Sequence, residues 1–348
     1  MMIVYNHSHR QLQGIWEGIR LKKLSLIGMV TLLLFLSLAG GMGLVVAADK
    51  PMIISLPTWS GYAPLFLARD KGFFAKYGLD VELSVTQDLS ARKQAFAGKR
   101  VDALATAHDV QVQVAAVGVP LKIVWAFDDS FGGDGILAKS EIKAIADLKG
   151  KQVAFMRGST SHFLLLTALS SVGLTENDVV TVNMTAGDAG AAFVAGRVDA
   201  AVTWEPWLTK GSGSGGHVLT DTKEFPGVIG DSLSFHADYV KKNPEAVQAF
   251  VKAMKDAMEY WHAHPEESNQ IMAAGMGITL EEFVATLEGL KLMDYQDNLA
   301  FFGTETEPGA LFTTLQNATD FYYDLKIIPA KQDVHGLVAA EFLYGAGQ

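Results

Sequence analysis

The fold is decided by two stretches that repeat one pattern, Ala95-Phe96-Ala97-Gly98-Lys99-Arg100-Val101-Asp102-Ala103-Leu104-Ala105-Thr106 and Ala192-Phe193-Val194-Ala195-Gly196-Arg197-Val198-Asp199-Ala200-Ala201-Val202-Thr203. Each stretch predicts a helix end, a glycine that stops the helix in the left-handed conformation, and a short strand that begins near the Val-Asp-Ala triplet. The offset from Val101 to Val198 is 198 − 101 = 97 residues. This period is too long for a solenoid and fits two α/β units.

The residues upstream of both stretches extend the repeat. A strand followed by a helix is predicted at Ile53–Leu56 with Pro64, and again at Gln152–Phe155 with Ser161; second strands are predicted at Val81–Val85 and Val179–Val182. Each unit therefore has the order β-α-β-α-β, which is typical of a mostly parallel sheet with right-handed crossovers. Ligands of such sheets bind beyond the carboxyl ends of the strands, so we expect a cleft between two facing lobes.

Composition excludes several classes of protein. The chain has 348 residues, of which 49% are apolar, a formal net charge of −10 and no cysteine. That apolar fraction is sufficient for buried cores and argues against disorder. The absence of cysteine excludes disulfides, iron–sulfur clusters and thiol nucleophiles, and the acidic balance argues against a nucleic-acid partner.

The amino-terminal segment predicts export from the cytoplasm. Basic residues at Arg20, Lys22 and Lys23 precede an uncharged run over 24–46, and small residues follow it up to Ala48. This order is typical of a signal peptide, so residues 1–48 are predicted to be an export signal and the remainder periplasmic. The alternative is an uncleaved membrane anchor, since the run is long enough to span a bilayer.

The rest of the chain is predicted to divide between two lobes. Residues 49–136 form the first part of lobe 1, residues 137–232 form lobe 2, and residues 233–348 return to lobe 1 and add carboxyl-terminal helices. Helices are predicted at Pro244–Ala263, Thr279–Gly289 and Gly309–Leu325, with a short turn at Pro265–Ala274; a capping box at Thr279 and a helix start at Asn243-Pro244 support this assignment. We expect them to pack on the outside of the lobe.

The candidate binding residues follow the predicted strands. They are the aromatic residues Trp59, Tyr62 and Trp204, the acidic residues Asp109, Asp128, Asp134 and Glu205, and the hydroxyl residues Thr160 and Ser161. Aromatic faces and carboxylates suit a ligand with positive charge. The two hydroxyl residues open a helix and would bind an oxyanion end of the same ligand. Only one or two of the acids are expected to face the ligand, because unpaired buried carboxylates are too costly.

Other residues have simpler interpretations. Trp125 lies within a strand and is predicted to be a core residue, and Asp102 and Asp199 are interpreted as strand-start residues. The glycines of Gly211-x-Gly213-x-x-Gly216 have the spacing of a dinucleotide-binding motif, but they follow a helix start and not a strand, so this segment is interpreted as a loop. His262 and His264 have no third ligand nearby, which argues against a metal site. The sequence therefore predicts no metal, no cofactor and no catalytic residue.

Several motifs make the chain similar to a known family. They are Gly61-Tyr62-Ala63-Pro64, Lys71-Gly72-Phe73-Phe74-Ala75-Lys76-Tyr77-Gly78-Leu79, Asp147-Leu148-Lys149-Gly150-Lys151, Ser159-Thr160-Ser161-His162 and Thr203-Trp204-Glu205-Pro206-Trp207. The chain resembles the periplasmic solute-binding proteins of ABC importers in the nitrate, taurine and aliphatic-sulfonate group, which includes relatives for thiamine-pyrimidine precursors. The resemblance implies an α/β, two-lobed type II periplasmic binding fold, with hinge strands near Ile136–Ala138 and Leu233–Phe235.

The resemblance also implies partners and a ligand class. We expect a monomer that captures a small nitrogen-containing organic solute (an amine, a guanidinium-like solute or an amino-sulfonate such as taurine) by lobe closure. It would deliver this solute to the permease subunits and ATPase of an importer. The alternatives are a binding protein for nitrate, an alkanesulfonate or a pyrimidine precursor, and, with less support, an enzyme on the same fold, because the related enzymes depend on cysteine.

Overall fold

The computed structural model describes residues 50–225, 227–304 and 306–347. The predicted export signal over residues 1–48 lies outside these residues. Within the described ranges, none of the helices combines the length and the apolar character needed to cross a bilayer. The described chain forms two β-sheets with helices on their faces.

Eleven strands make up the two sheets of the described chain. They are β1 (Met52–Leu56), β2 (Val81–Val85), β3 (Ala103–Ala107), β4 (Leu121–Ser130), β5 (Asp134–Lys139), β6 (Gln152–Phe155), β7 (Val180–Asn183), β8 (Ala200–Trp204), β9 (Gly216–Asp221), β10 (Gly230–His236) and β11 (Leu290–Leu292). The strand order is β11-β4-β10-β3-β1-β2 in the first sheet and β7-β6-β8-β5-β9 in the second. In each sheet one strand, β1 or β6, pairs in parallel with two later strands. The predicted β-α-β-α-β repeat is confirmed.

Fourteen α-helices flank these sheets within the described ranges. They are α1 (Ala63–Asp70), α2 (Phe73–Lys76), α3 (Leu89–Ala97), α4 (His108–Ala116), α5 (Thr160–Ser171), α6 (Ala186–Val194), α7 (Trp207–Ser212), α8 (Ala237–Lys242), α9 (Pro244–Ala263), α10 (Pro265–Met276), α11 (Leu280–Thr286), α12 (Tyr295–Phe302), α13 (Ala310–Asp324) and α14 (Glu341–Gly345). The three predicted carboxyl-terminal helices are present, and the predicted short turn at Pro265–Ala274 is a longer helix, α10. The strand β11 was not predicted, because three residues are too few to show an alternating pattern.

Two aspartates at matching positions of the repeat hold the first strand of each unit. Asp102 accepts a hydrogen bond from the backbone N–H of Ile53 at 2.9 Å, and Asp199 accepts one from Gln152 at 3.0 Å. The backbone N–H groups of the two aspartates donate in return to the carbonyl groups of the same residues. Both aspartates therefore fix where β1 and β6 begin, which confirms their interpretation as structural residues.

The helix stop of the repeat differs from the prediction in the first unit. Gly196 has φ of +70°, as predicted for a left-handed helix stop, but Gly98 has φ of −80° and the left-handed residue is Lys99, with φ of +54°. Lys99 and Gly196 occupy the same position when Val101 is aligned with Val198. The geometry belongs to that position, and a residue with a side chain there adopts it at a cost of about 1 kcal/mol.

The chain crosses between the sheets at two points. It passes from β4 to β5 through residues 131–133 and from β9 to β10 through residues 222–229. The predicted lobe boundaries at 136/137 and 232/233 therefore fall inside β5 and β10. Each of these strands is paired on both sides within a single sheet. The apolar pattern identifies a strand but not the sheet to which the strand belongs. For this reason the predicted lobe boundaries lie a few residues away from the points at which the chain changes sheets. We call the units around the first and second sheets the first and second lobes.

The carboxyl-terminal helices complete the first lobe. Helix α9 packs on α1, and α13 packs on α4, so both cover the first sheet. Trp125 in β4 is fully buried beneath this layer, which confirms its prediction as a core residue. One helix also reaches the interior, because Tyr322 of α13 is fully buried and its hydroxyl donates to Asp109 at 2.6 Å. The position of Asp109 therefore depends on a helix that was expected to pack only on the outside of the lobe.

Candidate functional site

A cavity lies between the two lobes at the carboxyl ends of their parallel strands. It is lined by Pro57, Trp59, Tyr62, Leu89, Arg92, Thr106, Ala107, Val110, Asp134, Met156, Ser159, Thr160, Trp204, Ile229 and Asp231. Its volume is about 40 Å³. Since one water needs roughly 10–15 Å³ by the same measure, the cavity has room for a polar group of a few atoms. We call it the inner cavity.

Two tryptophans from opposite lobes meet at this cavity. Trp59 follows β1 and Trp204 ends β8; their ring centroids are 6.2 Å apart and their planes are inclined at 67°. This is the edge-to-face arrangement that aromatic rings prefer. The Nε1–H of Trp59 donates to Asp128 at 3.2 Å, so this indole is held from behind as well. The structure thus brings together two of the aromatic residues that the sequence singled out.

A glycine makes the close packing of this loop possible. A Cβ added at Gly61 would collide with the carboxylate of Asp128 and would lie 2.6 Å from Nε1 of Trp59. The backbone of the loop after β1 therefore lies directly against the hydrogen bond that orients Trp59. This close contact requires glycine at the first position of the motif Gly61-Tyr62-Ala63-Pro64.

Two acidic residues lie in and behind one wall of the inner cavity. The hydroxyl of Tyr62 donates a short hydrogen bond to Asp231, and the carboxyl of Asp128 is close enough to Asp231 to interact with it. Burial, together with the charge of Asp231, raises the pKa of Asp128 well above its ordinary value, and burial raises the pKa of Asp231 to about 7. Burial and the charge of Asp231 therefore disfavour ionisation of both carboxyl groups at the same time. Asp231 lines the cavity, and Asp128 lies behind Trp59.

Asp134 is an acid of the cavity lining that has no cationic neighbour among the described residues. It begins β5, is 4% exposed and lines the cavity, and its Oδ2 has no hydrogen-bond partner among the described residues. Burial raises its pKa to about 8, although a hydrogen bond with Ser130 opposes the shift. A buried carboxylate atom without a partner is costly, so a positively charged group in the cavity would stabilise it.

Asp109 and Thr160 form a hydrogen bond between the two lobes, and they do not both line the inner cavity. Asp109, in the first turn of α4, accepts hydrogen bonds from Tyr322 at 2.6 Å and from Thr160 of the second lobe at 3.3 Å. Burial raises the pKa of Asp109. Of this pair only Thr160 lines the cavity. A second link between the lobes runs nearby, where Nζ of Lys93 donates to the carbonyl oxygen of Gly158 at 3.3 Å.

The start of α5 is closed by Ser159. Its Oγ accepts a hydrogen bond from the N–H of Ser161 at 3.2 Å, and Ser159 is therefore the cap of this helix. Ser161 is 2% exposed, lies outside the cavity lining, and its Oγ has no partner among the described residues. Of the two hydroxyl residues predicted for an oxyanion, only Thr160 reaches the cavity wall, where Ser159 lies beside it.

Glu205 is placed away from the inner cavity. Its carboxylate accepts hydrogen bonds from the backbone N–H of Thr209 at 3.1 Å and from the Thr209 hydroxyl at 2.9 Å, which caps α7. It lines a second, larger cavity of about 440 Å³. This outer cavity shares Trp59, Met156 and Trp204 with the inner one.

Two charged residues of the inner cavity were missed by the sequence analysis. Arg92 on α3 is 4% exposed, its Nη1 donates to the carbonyl oxygen of Ala105 at 3.3 Å, and its Nε has no partner among the described residues. Asp231 is the second residue of β10, which runs antiparallel to its neighbours. The amino end of an antiparallel strand reaches the same sheet edge as the carboxyl ends of parallel strands, and this rule would have found Asp231.

Sequence comparisons connect the chain to binding proteins. The family model described as "NMT1/THI5 like" matches residues 59–268, which is more than half of the chain. An Escherichia coli (strain K12) protein provisionally named as an aliphatic sulfonates-binding protein is 31% identical over 203 residues, which are 57% of this chain and 60% of that protein. The taurine-binding periplasmic protein of the same strain is 31% identical over 156 residues, 44% of this chain and 48% of that protein. These matches span about half to three fifths of the relatives.

Solved structures share the fold over most of their length. The periplasmic aliphatic sulphonate binding protein SsuA from Escherichia coli has a TM-score of 0.67 at 23% identity and covers 85% of this chain and 99% of its own. The periplasmic nitrate-binding protein NrtA from Synechocystis PCC 6803 has a TM-score of 0.68 at 18% identity, with 86% and 88% covered. The desulfurization enzyme DszB has a TM-score of 0.63 at 17% identity, with 86% and 99% covered. The two-lobed α/β fold of periplasmic binding proteins is confirmed, and enzymes also use it.

Proposed function

Because this chain belongs to the NMT1/THI5-like family, we propose that it is the periplasmic solute-binding receptor of an ABC importer. It captures one small solute between its lobes and delivers it to the permease subunits and ATPase of the importer. It acts as a monomer and performs no chemistry on the solute. The names of the sulfonate-, taurine- and nitrate-binding relatives support this class of function.

The proposed solute is a small nitrogen-containing organic cation. The observation that carries this proposal is Asp134, a buried carboxyl group that lines the inner cavity with an unpartnered oxygen. The indoles of Trp59 and Trp204 border the same cavity and would contact an ammonium or amidinium group favourably. Asp128 holds the indole of Trp59 and Asp231 accepts a hydrogen bond from Tyr62. Asp134 is therefore the acid that would receive the cation, and it would lose its proton when the cation binds.

Capture requires the lobes to separate and close. Three polar contacts between the lobes would break on opening: Thr160 with Asp109, Lys93 with Gly158, and Lys210 with Glu282 at 3.3 Å. We propose that the lobes rotate about the two chain crossings, at residues 131–133 and 222–229. A smaller radius of gyration in solution scattering when solute is added would support the motion, and an unchanged profile at saturation would contradict it.

One observation favours a second candidate, an anionic or zwitterionic solute. The guanidinium of Arg92 lines the inner cavity with an unpartnered Nε, and it would bind nitrate, a sulfonate or the sulfonate end of taurine. The charge of Asp231 compensates Arg92 in part, since each affects the pKa of the other. For this reason we rank the cation first.

Titration calorimetry on three variants separates the candidates. The panel contains amines, guanidines, taurine, alkanesulfonates, nitrate and pyrimidines, and the variants are Asp134→Asn, Arg92→Gln and the exposed control Asp80→Asn. For a cation, Asp134→Asn lowers the affinity roughly ten- to one-hundredfold, because a charge-assisted hydrogen bond is lost. For an anion, Arg92→Gln has that effect, and Asp134→Asn leaves binding unchanged or tighter. Thermal unfolding of each variant verifies that it is folded.

A further inference from the structure

The inner cavity adjoins a second space of different chemistry. The outer cavity of about 440 Å³ shares Trp59, Met156 and Trp204 with the inner one, so these three side chains form the wall between the two. The inner cavity has room for only a few atoms and contains Asp134. A solute larger than its charged group must therefore extend past the two indoles.

The surface of the outer cavity is mainly apolar. Met276 and Ile278 of the first lobe and Pro206 and Trp207 of the second contribute to it. Its two acidic residues, Asp188 and Glu205, are already engaged in capping helices. Among the described residues that line it there is no lysine or arginine.

Trp207 presents a fixed aromatic ring to this space. A Cβ added at Gly190 would lie 2.5 Å from Cβ and Cγ of Trp207, so α6 approaches the indole as closely as only glycine allows. Lys210 lies outside the lining, 5.4 Å from the ring centroid of Trp207, and its charge is paired with Glu282. A ring that is already held in place loses little conformational freedom when a ligand packs on it.

We propose that the solute consists of a cationic head bound in the inner cavity and a flat apolar body that packs in the outer cavity against Trp204 and Trp207. This inference rests on the proposed function and narrows its ligand class to arylalkyl amines and amidines. An amino-sulfonate is disfavoured, because a sulfonate in the outer cavity would find two acidic side chains and, among the described lining residues, no cationic one. The body supplies most of the affinity through buried apolar area.

Four small probes test head and body separately. Benzylammonium has both parts, methylammonium has the head alone, benzyl alcohol has the body alone, and phenylmethanesulfonate has the body with the opposite charge. Calorimetry of the whole mature protein is expected to give benzylammonium the highest affinity, roughly ten- to one-hundredfold above methylammonium from the area of one ring. Benzyl alcohol binds more weakly than benzylammonium, and phenylmethanesulfonate is not bound.

Variants of the outer wall assign the effect to its residues. Trp207→Leu is expected to weaken benzylammonium about tenfold or less and to leave methylammonium unchanged, whereas Asp134→Asn weakens both. Ile278→Ala is a second variant with the same expected selectivity, in case Trp207→Leu does not fold.

Two results overturn the inference, and they differ in what they say of the proposed function. If benzylammonium binds no better than methylammonium while Asp134→Asn weakens both, the apolar body is refuted and the cation receptor stands. If phenylmethanesulfonate binds and the ammonium probes do not, both the inference and the cationic solute are refuted.

Discussion

The buried carboxyl group of Asp134 makes a prediction that does not depend on the identity of the solute. Its pKa is about 8 in the folded protein, against 3.8 when it is exposed in the unfolded chain. Between these pH values the folded state holds a proton that the unfolded state has lost. The stabilising contribution is therefore fully present below pH 4 and disappears as the pH rises through 8.

The magnitude follows from this difference. One group in this window lowers the free energy of unfolding by about 1.4 kcal/mol for each pH unit, or up to about 6 kcal/mol over the whole range. Asp134→Asn removes this proton exchange while keeping the shape of the side chain. We expect the variant to lose that part of the slope between pH 5 and 7 and to be more stable than the parent protein at pH 8.

Urea unfolding at several pH values, without solute, measures this slope for the parent, for Asp134→Asn and for the control Asp80→Asn. Asp231, with a pKa of about 7, contributes a slope of the same sign that remains in Asp134→Asn. The reasoning is refuted if the two slopes are equal, or if Asp134→Asn is the less stable protein at pH 8. Either result would mean that Asp134 is ionised in the folded protein at neutral pH.

Further predictions follow from other contacts. Gly61→Ala is expected to lower the free energy of unfolding by about 1–3 kcal/mol through overpacking against Asp128. Thermal unfolding measures this loss, and Gly213→Ala, whose added Cβ makes only ordinary contacts of 3.6 Å, is the control that tests whether the loss is specific. Lys99→Gly should raise stability by about 1 kcal/mol, because glycine accepts a φ of +54° without strain; no gain over Lys99→Ala in urea unfolding would argue against it. Glu205→Gln should change the affinity for a cation by less than about threefold, since Glu205 caps α7, and a larger loss in calorimetry would return this residue to the binding site.

The fold could be predicted because the sequence contains the β-α-β-α-β repeat twice, with enough similarity between the two copies to recognise it. The Val-Asp-Ala triplets at Val101 and Val198 mark a strand start that the hydrogen bonds of Asp102 and Asp199 fix in space. The residues at which the chain passes from one sheet to the other could not be predicted. The apolar pattern of β5 and β10 identifies them as strands, but it is the same before and after the predicted lobe boundaries. Sheet membership is set by pairing between distant strands, and a single sequence does not show it.

The candidate site was predictable only in part. Trp59, Tyr62 and Asp134 were recognised because they follow predicted strands, where side chains reach the cleft. Arg92 was missed because a basic residue on a helix usually faces solvent. Glu205 also follows a predicted strand, but the hydrogen bonds from Thr209 direct its carboxylate to the helix that follows. Local partners of this kind decide the direction of a side chain, and they become visible only in three dimensions.

The meeting of Trp59 and Trp204 has a spectroscopic consequence. Two indoles 6.2 Å apart at an angle of 67° couple their electronic transitions, and a chiral pair of this kind gives a signed couplet in the circular dichroism of the aromatic region. One ring belongs to each lobe, so the couplet exists only while the lobes are together. The protein therefore contains an optical reporter of its own closure, which needs no added label.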